Sequence, residues 1–142
     1  MSVRTSTRFR RERAAVPSAR AFVTRTLRAL GASDDTVERL ELAVAEACNN
    51  VVFHATCPAF ALDVAVDGDR AVVTVTDDGA GFVPRAHPAM PPPLALSRRG
   101  IPLMEALVER VEVSSGAGGT TVVLAQPLRG TPGRNATLVV EA

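Results

Sequence analysis

The sequence predicts an α+β fold: a two-layer sandwich in which a mostly antiparallel sheet is covered on one face by about three helices. Three observations predict it. Apolar residues recur at helical spacing in two stretches before Ala55 and again from Ile101 onward. Alternating, β-branched runs come in pairs joined by Gly-containing turns. Finally, the helices are grouped around these hairpins, which suits a sheet with helices on one side.

At 142 residues the chain is expected to form one domain, 1–142, with a core of useful size. Its ends are an N-terminal strand region, 1–16, and a C-terminal tail, 129–142. Thr5 to Arg13 alternate weakly and suit an edge strand. "VPSARAFVTRTLRAL" reads as a helix, with Pro17 in the first turn and Val16, Ala19, Phe22, Val23, Leu27 and Leu30 near helical spacing. Gly31 ends it. Ser33 or Asp34 caps the next helix, and Asp34 and Asp35 suit its positive end. That helix runs through "DDTVERLELAVAEACNNVVFHA", on a stripe of Val37, Leu40, Val44, Ala47, Cys48 and Val51. "FALDVAV" and "AVVTVTD" form a hairpin around "VDGDR". A Pro-, Gly- and Ala-rich stretch without a period follows and reads as a long loop. "IPLMEALVERV" is expected to be a third helix through Val111, and "VEVSS" and "TTVVLAQPL" a second hairpin around "GAGG". The last residues either add a strand or stay loose.

Composition narrows the chemistry. Hydrophobic residues are 46% and charged residues 22% of the chain, as in ordinary soluble proteins. A formal net charge of +1 gives no general pull toward nucleic acid or membrane. The charge is unevenly placed, since eight arginines precede Gly31 against the single acid Glu12. That run reads as a solvated face or as a docking surface for an acidic partner or nucleic acid. Trp and Tyr are absent, which removes the best stacking platforms for single-stranded nucleic acid. Every basic residue is arginine, so mechanisms built on a phosphate-binding lysine are excluded. Cys48 and Cys57, with His54 and His87, make no zinc spacing. They are expected to be reduced thiols in a cytoplasmic protein, since the sequence shows no signal peptide and no bilayer-spanning apolar run.

Four stretches carry candidate chemistry. Glu46 and Asn50 lie four apart on the second helix, with His54 four further on, and none falls on the apolar stripe. Asparagine is a poor helix former, yet two occur there in succession. In "VTDDGAGF", Asp77 ends a strand and Gly79 and Gly81 follow, either as a plain turn or as backbone that a ligand can approach closely. A carboxylate at such a place can accept a hydrogen bond from an exocyclic amine. In "LSRRGIPLM" the long loop becomes a helix at about Gly100, where free N–H groups, Arg98 and Arg99 suit phosphate. In "GGTTVVL", Thr120 or Thr121 can turn a hydroxyl toward a ligand.

In this order, "ELAVAEACNNVVFHA", "VTDDGAGF" and "RGIPLMEALVERVEV" resemble three boxes of the ATPase/kinase superfamily of gyrase, MutL and histidine kinases, which shares the Bergerat (GHKL) fold. The likeness spans roughly Pro17 to Pro127 and is nearest to the anti-sigma factor serine/threonine kinases of the RsbW/SpoIIAB type. The resemblance implies a function: an ATP-binding anti-sigma factor that phosphorylates a serine or threonine of an anti-anti-sigma (STAS) protein and sequesters a sigma factor. It implies Glu46 as general base and Asn50 as the Mg²⁺ ligand. It puts His54, Asp77, Gly79, Gly81, Arg98, Arg99, Gly100, Ile101 and Thr120 in the ATP site with Asn50, and Val83 to Ser97 in a lid. It also implies a homodimer, with no direct nucleic-acid or membrane contact. The phosphate box departs from the family's Gly-x-Gly, reading Arg98-Arg99-Gly100. This leaves a second expectation, a partner-binding module that does not transfer phosphate.

Overall fold

The computed structural model describes residues 2–77, 102–116, 118–129 and 137–141. The elements run β1 (Ser2–Arg10), α1 (Ala15–Ala29), α2 (Asp34–His54), β2 (Ala59–Asp67) and β3 (Arg70–Asp77). A short helical stretch, α3 (102–107), follows. The chain continues with β4 (Arg110–Gly116), β5 (Gly119–Pro127) and β6 (Thr137–Glu141). The strands form one six-stranded sheet in the order β1-β2-β3-β5-β4-β6. All neighbours pair antiparallel except β6, which runs parallel to β4. The predicted α+β sandwich is therefore present, with the ambiguous tail supplying the single parallel edge.

The helix boundaries follow from local chemistry. Gly31 at φ +90° closes α1, with its N–H on Arg28 O and the Ala32 N–H on Leu27 O. A side chain would be strained in that left-handed conformation. Of the two candidate caps for α2, Ser33 is the one used, its hydroxyl accepting from Thr36 N at 3.2 Å. Period-two burial then sorts the hairpin. Phe60, Leu62, Val64 and Val66 are buried on β2, and Ala71, Val73 and Val75 on β3. Burying each of the larger side chains contributes roughly 1.5–3 kcal/mol. α1 lies over β1 and β2 while α2 lies over β3 and β5, so both helices cover the same face.

Two expectations are corrected. The N-terminal strand is Ser2–Arg10, not Thr5 to Arg13, and residues 11–14 turn the chain into α1. The third helix does not reach Val111. Helical backbone ends at 107, and Val111 and Val113 are buried on β4 in a period of two. The β-branched run of "VEV" and its ladder with β5 outweigh the helical spacing of Val108 and Val111.

Candidate functional site

The direction of α2 across the sheet decides where the candidate residues meet. Thr36 in its first turn donates its hydroxyl to Pro127 O at 2.7 Å, which ties the start of α2 to the end of β5. From Thr36 to Asn50 the helix rises about 21 Å, and from Pro127 back to Thr120 the strand covers about 23 Å. The two spans nearly match, so Asn50 comes level with Thr120. The ladder puts Asp77 directly opposite Thr120, and Ser115 opposite it on the other side.

Those three residues form a polar row across β3, β5 and β4 on the helix-covered face. Asp77 continues the alternation of Ala71, Val73 and Val75, so its carboxylate is buried, at 7% exposure, in a position that otherwise takes a valine. A buried charge needs hydrogen-bond donors, and Asp77 Oδ1 accepts from Thr120 N at 3.3 Å. Thr120 Oγ1 shares a hydrogen bond with Ser115 Oγ at 3.0 Å. Ser115 is absent from the sequence-derived set. Its signal is that it continues the buried period of Val111 and Val113, but its partner appears only once register is known.

On α2, Glu46 and Asn50 are half-buried and His54, in the last turn, is exposed. At about 100° per residue, Glu46 and Asn50 lie about 40° apart around the axis. Arg39 falls in the same sector, and its Nη1 donates to Leu107 O at 2.9 Å. The start of this flank of α2 consequently meets the last residue of α3, the element that follows the candidate phosphate box. Asn50 Nδ2 is buried and has no hydrogen-bond partner among the described residues. Such an orphan costs about 1–3 kcal/mol, a cost that a bound ligand can offset. A magnesium ion with its phosphates fits that place chemically, since beside the unpartnered nitrogen the Asn50 side chain carries an amide oxygen, the hard kind of ligand that magnesium takes. The acidic carboxylate opposite Thr120 likewise fits an adenine amine.

Arg11 fixes this end of α2. Its Nη1 donates to Val52 O at 2.9 Å and its Nε to Cys57 O at 2.6 Å, satisfying carbonyls at and just past the last turn. Burial pushes the Cys48 thiol up to about 12, so it stays protonated and takes no part in thiolate or metal chemistry. Among the described residues no group of three His, Cys, Asp or Glu is placed to hold a metal, and no helix is long and apolar enough to cross a membrane. Gly79, Gly81, Arg98, Arg99, Gly100, Ile101 and the lid Val83 to Ser97 lie outside the described residues.

A family profile described as "Histidine kinase-like ATPase domain" matches residues 9–126. No curated protein matches the chain. Among solved structures, the crystal structure of the RsbU and RsbW domains of Rv1364c from Mycobacterium tuberculosis matches with a TM-score of 0.70 at 24% identity, over 95% of this chain. At that identity the likeness concerns the fold. The match covers 35% of the other chain, so this protein spans little more than a third of its length.

Proposed function

The chain belongs to the histidine kinase-like ATPase domain family, and from that premise we propose that it is an ATP-binding anti-sigma regulatory factor. In this reading it transfers the γ-phosphoryl group to a serine or threonine of an anti-anti-sigma (STAS) protein and sequesters a sigma factor. It works as a homodimer in the cytoplasm, without direct contact to nucleic acid or membrane. One observation carries the proposal. The buried Asp77 carboxylate, held by Thr120 N, stands level with the orphaned amide of Asn50 across the end of the sheet.

Each residue then has a task. Asp77 accepts a hydrogen bond from the adenine amine, with Gly79 and Gly81 leaving room for the base and Thr120 holding the carboxylate in place. Asn50 turns its amide oxygen to Mg²⁺, which when bound neutralises charge on the β- and γ-phosphates. His54 closes the α2 end of the nucleotide site. Arg98, Arg99, Gly100 and Ile101 meet the phosphates. Glu46, one turn before Asn50, accepts the proton of the acceptor hydroxyl. Of these, Glu46, Asn50 and His54 share the second half of α2, whose end Arg11 ties to the segments flanking β1 and β2.

Arg98 supports a second reading. It stands where the family pattern has glycine, and a domain with that change can bind its partner without passing on phosphate. Thermal unfolding with and without Mg-ATP, beside Asp77→Asn, tests the nucleotide site. A shift that vanishes in the variant supports it, and no shift at millimolar Mg-ATP rejects it. Incubating the protein and radiolabelled ATP with a STAS protein then separates the two readings. Partner binding without phosphate gain sinks the kinase and leaves the binding module.

A further inference from the structure

Phe53 stands out on α2. It is 59% exposed, the most exposed large hydrophobic side chain among the described residues. It is seven residues past Glu46, which at about 100° per residue returns it to within about 20° of Glu46 around the axis. The aromatic ring therefore shares the face of Glu46 and Asn50, about 10 Å further along the helix. A single exposed apolar side chain is ordinary on a protein surface, so what distinguishes Phe53 is the company it keeps.

The surroundings of Phe53 are positively charged. The Arg13 guanidinium lies over the Phe53 ring, 5.8 Å from its centroid, and Arg11 holds the adjacent carbonyls. Arg13 is exposed, and neither it nor Arg11 has a carboxylate partner among the described residues. Elsewhere Arg4, Arg20, Arg39, Arg70 and Arg110 are each paired with an acid. Glu12 is the only acid in the turn. A rigid aromatic ring beneath an arginine is the kind of anchor that concentrates binding energy, and the unneutralised arginines select the sign of what surrounds it.

The geometry points to a docking surface, centred on Phe53 and Arg13, for an acidic segment of the phosphoryl-accepting protein that carries one apolar anchor. Seated there, the segment lies along the face that leads to Glu46, so its hydroxyl-bearing neighbour reaches the proposed base. The inference rests on the kinase reading of that site.

The probe is a fluorescein-labelled acidic peptide with one leucine and one serine, compared with a neutral peptide of equal length in the presence of Mg-ATP. The acidic peptide is expected to bind, to weaken as salt rises, and to weaken at least about tenfold with Phe53→Ala or Arg13→Glu. Mg-ATP affinity in both variants is expected to equal that of the unaltered protein. Peptide binding that ignores both substitutions overturns the proposal, as does no binding of the acidic peptide at millimolar concentration. An RNA oligonucleotide that binds with the same dependence on Phe53 overturns the assignment to a protein partner. Failure of the unaltered protein to bind Mg-ATP counts against the nucleotide reading instead, a result the peptide titration alone does not give.

Discussion

At the end of the sandwich where α2 begins, hydrogen bonds join one segment to the next, whereas at the end where α2 finishes the ties of Arg11 stand beside groups suited to a ligand. At the first end Ser33 caps Thr36 N, Thr36 Oγ1 donates to Pro127 O, Ser33 N to Leu128 O and Leu128 N to Asp69 O. Arg129 Nε adds a bond to Gly31 O at 3.0 Å. At the second end Asn50 Nδ2 has no partner among the described residues, a carboxylate occupies a core position, and an aromatic ring stands in solvent. Gln126 is the exception at the first end. Its Oε1 accepts from Glu109 N at 2.7 Å while its Nε2 is unpartnered among the same residues. The contrast teaches that the two ends obey different demands. The first is bonded mainly for stability, and the second keeps the Asn50 amide nitrogen without a partner among the described residues, at a cost that a bound ligand can offset.

The contrast predicts that substitutions at the second end change function with little change in stability, and that those at the first end do the reverse. The largest effect belongs to Glu46→Gln, which is expected to slow phosphoryl transfer by about 10²–10⁴ and to leave the ATP-induced shift in Tm intact. A steady-state transfer assay with a STAS acceptor checks it, and an unchanged rate removes Glu46 from the chemistry. Next comes Asp77→Asn. Mg-ATP at about 100 times its Kd stabilises the unaltered domain by about 2.7 kcal/mol, a rise of roughly 5–15 °C in Tm. The variant is expected to lose that rise, and retention of it would place the base elsewhere.

Smaller effects belong to the first end. Thr36→Val removes the bond to Pro127 O from a fully buried site and is expected to cost about 1–3 kcal/mol. Denaturant unfolding measures that loss, and ATP affinity should not follow it. A matching loss of affinity would mean that the ends are coupled.

The smallest effect lies on the exposed edge. Burial pushes the Asp63 carboxyl up, but the hydrogen bond from Ser6 and the bond and charge of Arg4 outweigh it and hold it below the usual carboxylate range. A carboxyl lowered on folding contributes stability above its unfolded pKa and loses it as pH falls through the lowered value. Solvent screening keeps this below about 1 kcal/mol. Asp63→Asn should therefore unfold slightly more readily than the parent at neutral pH and equally at low pH, as acid titration by circular dichroism would show.

Much of this was legible along the chain. The stripe from Val37 to Val51, the alternation of β2 and β3, the cap at Ser33 and the stop at Gly31 are local patterns, because helix and strand periods and turn conformations act within a few residues. Glu46, Asn50, Asp77 and Thr120 were legible through the order and spacing of the stretches that carry them, since singly each also suits an ordinary helix face, turn or strand. Phe53 was visible as a large apolar residue off the stripe, yet nothing local distinguished it from an ordinary surface aromatic.

Composition and local periodicity thus set the class of fold, the order of most elements and the identities of the candidate residues. The long-range pairing set the rest. Asp77 meets Thr120 across 43 residues of sequence, β6 joins β4 in parallel, and α3 stops at 107 because β4 takes the following residues into its ladder. Register, helix direction and the satisfaction of buried polar groups depend on contacts between distant segments. No short window of sequence contains both partners of such a contact, so only the assembled sheet and its helices decide which amide is left without one.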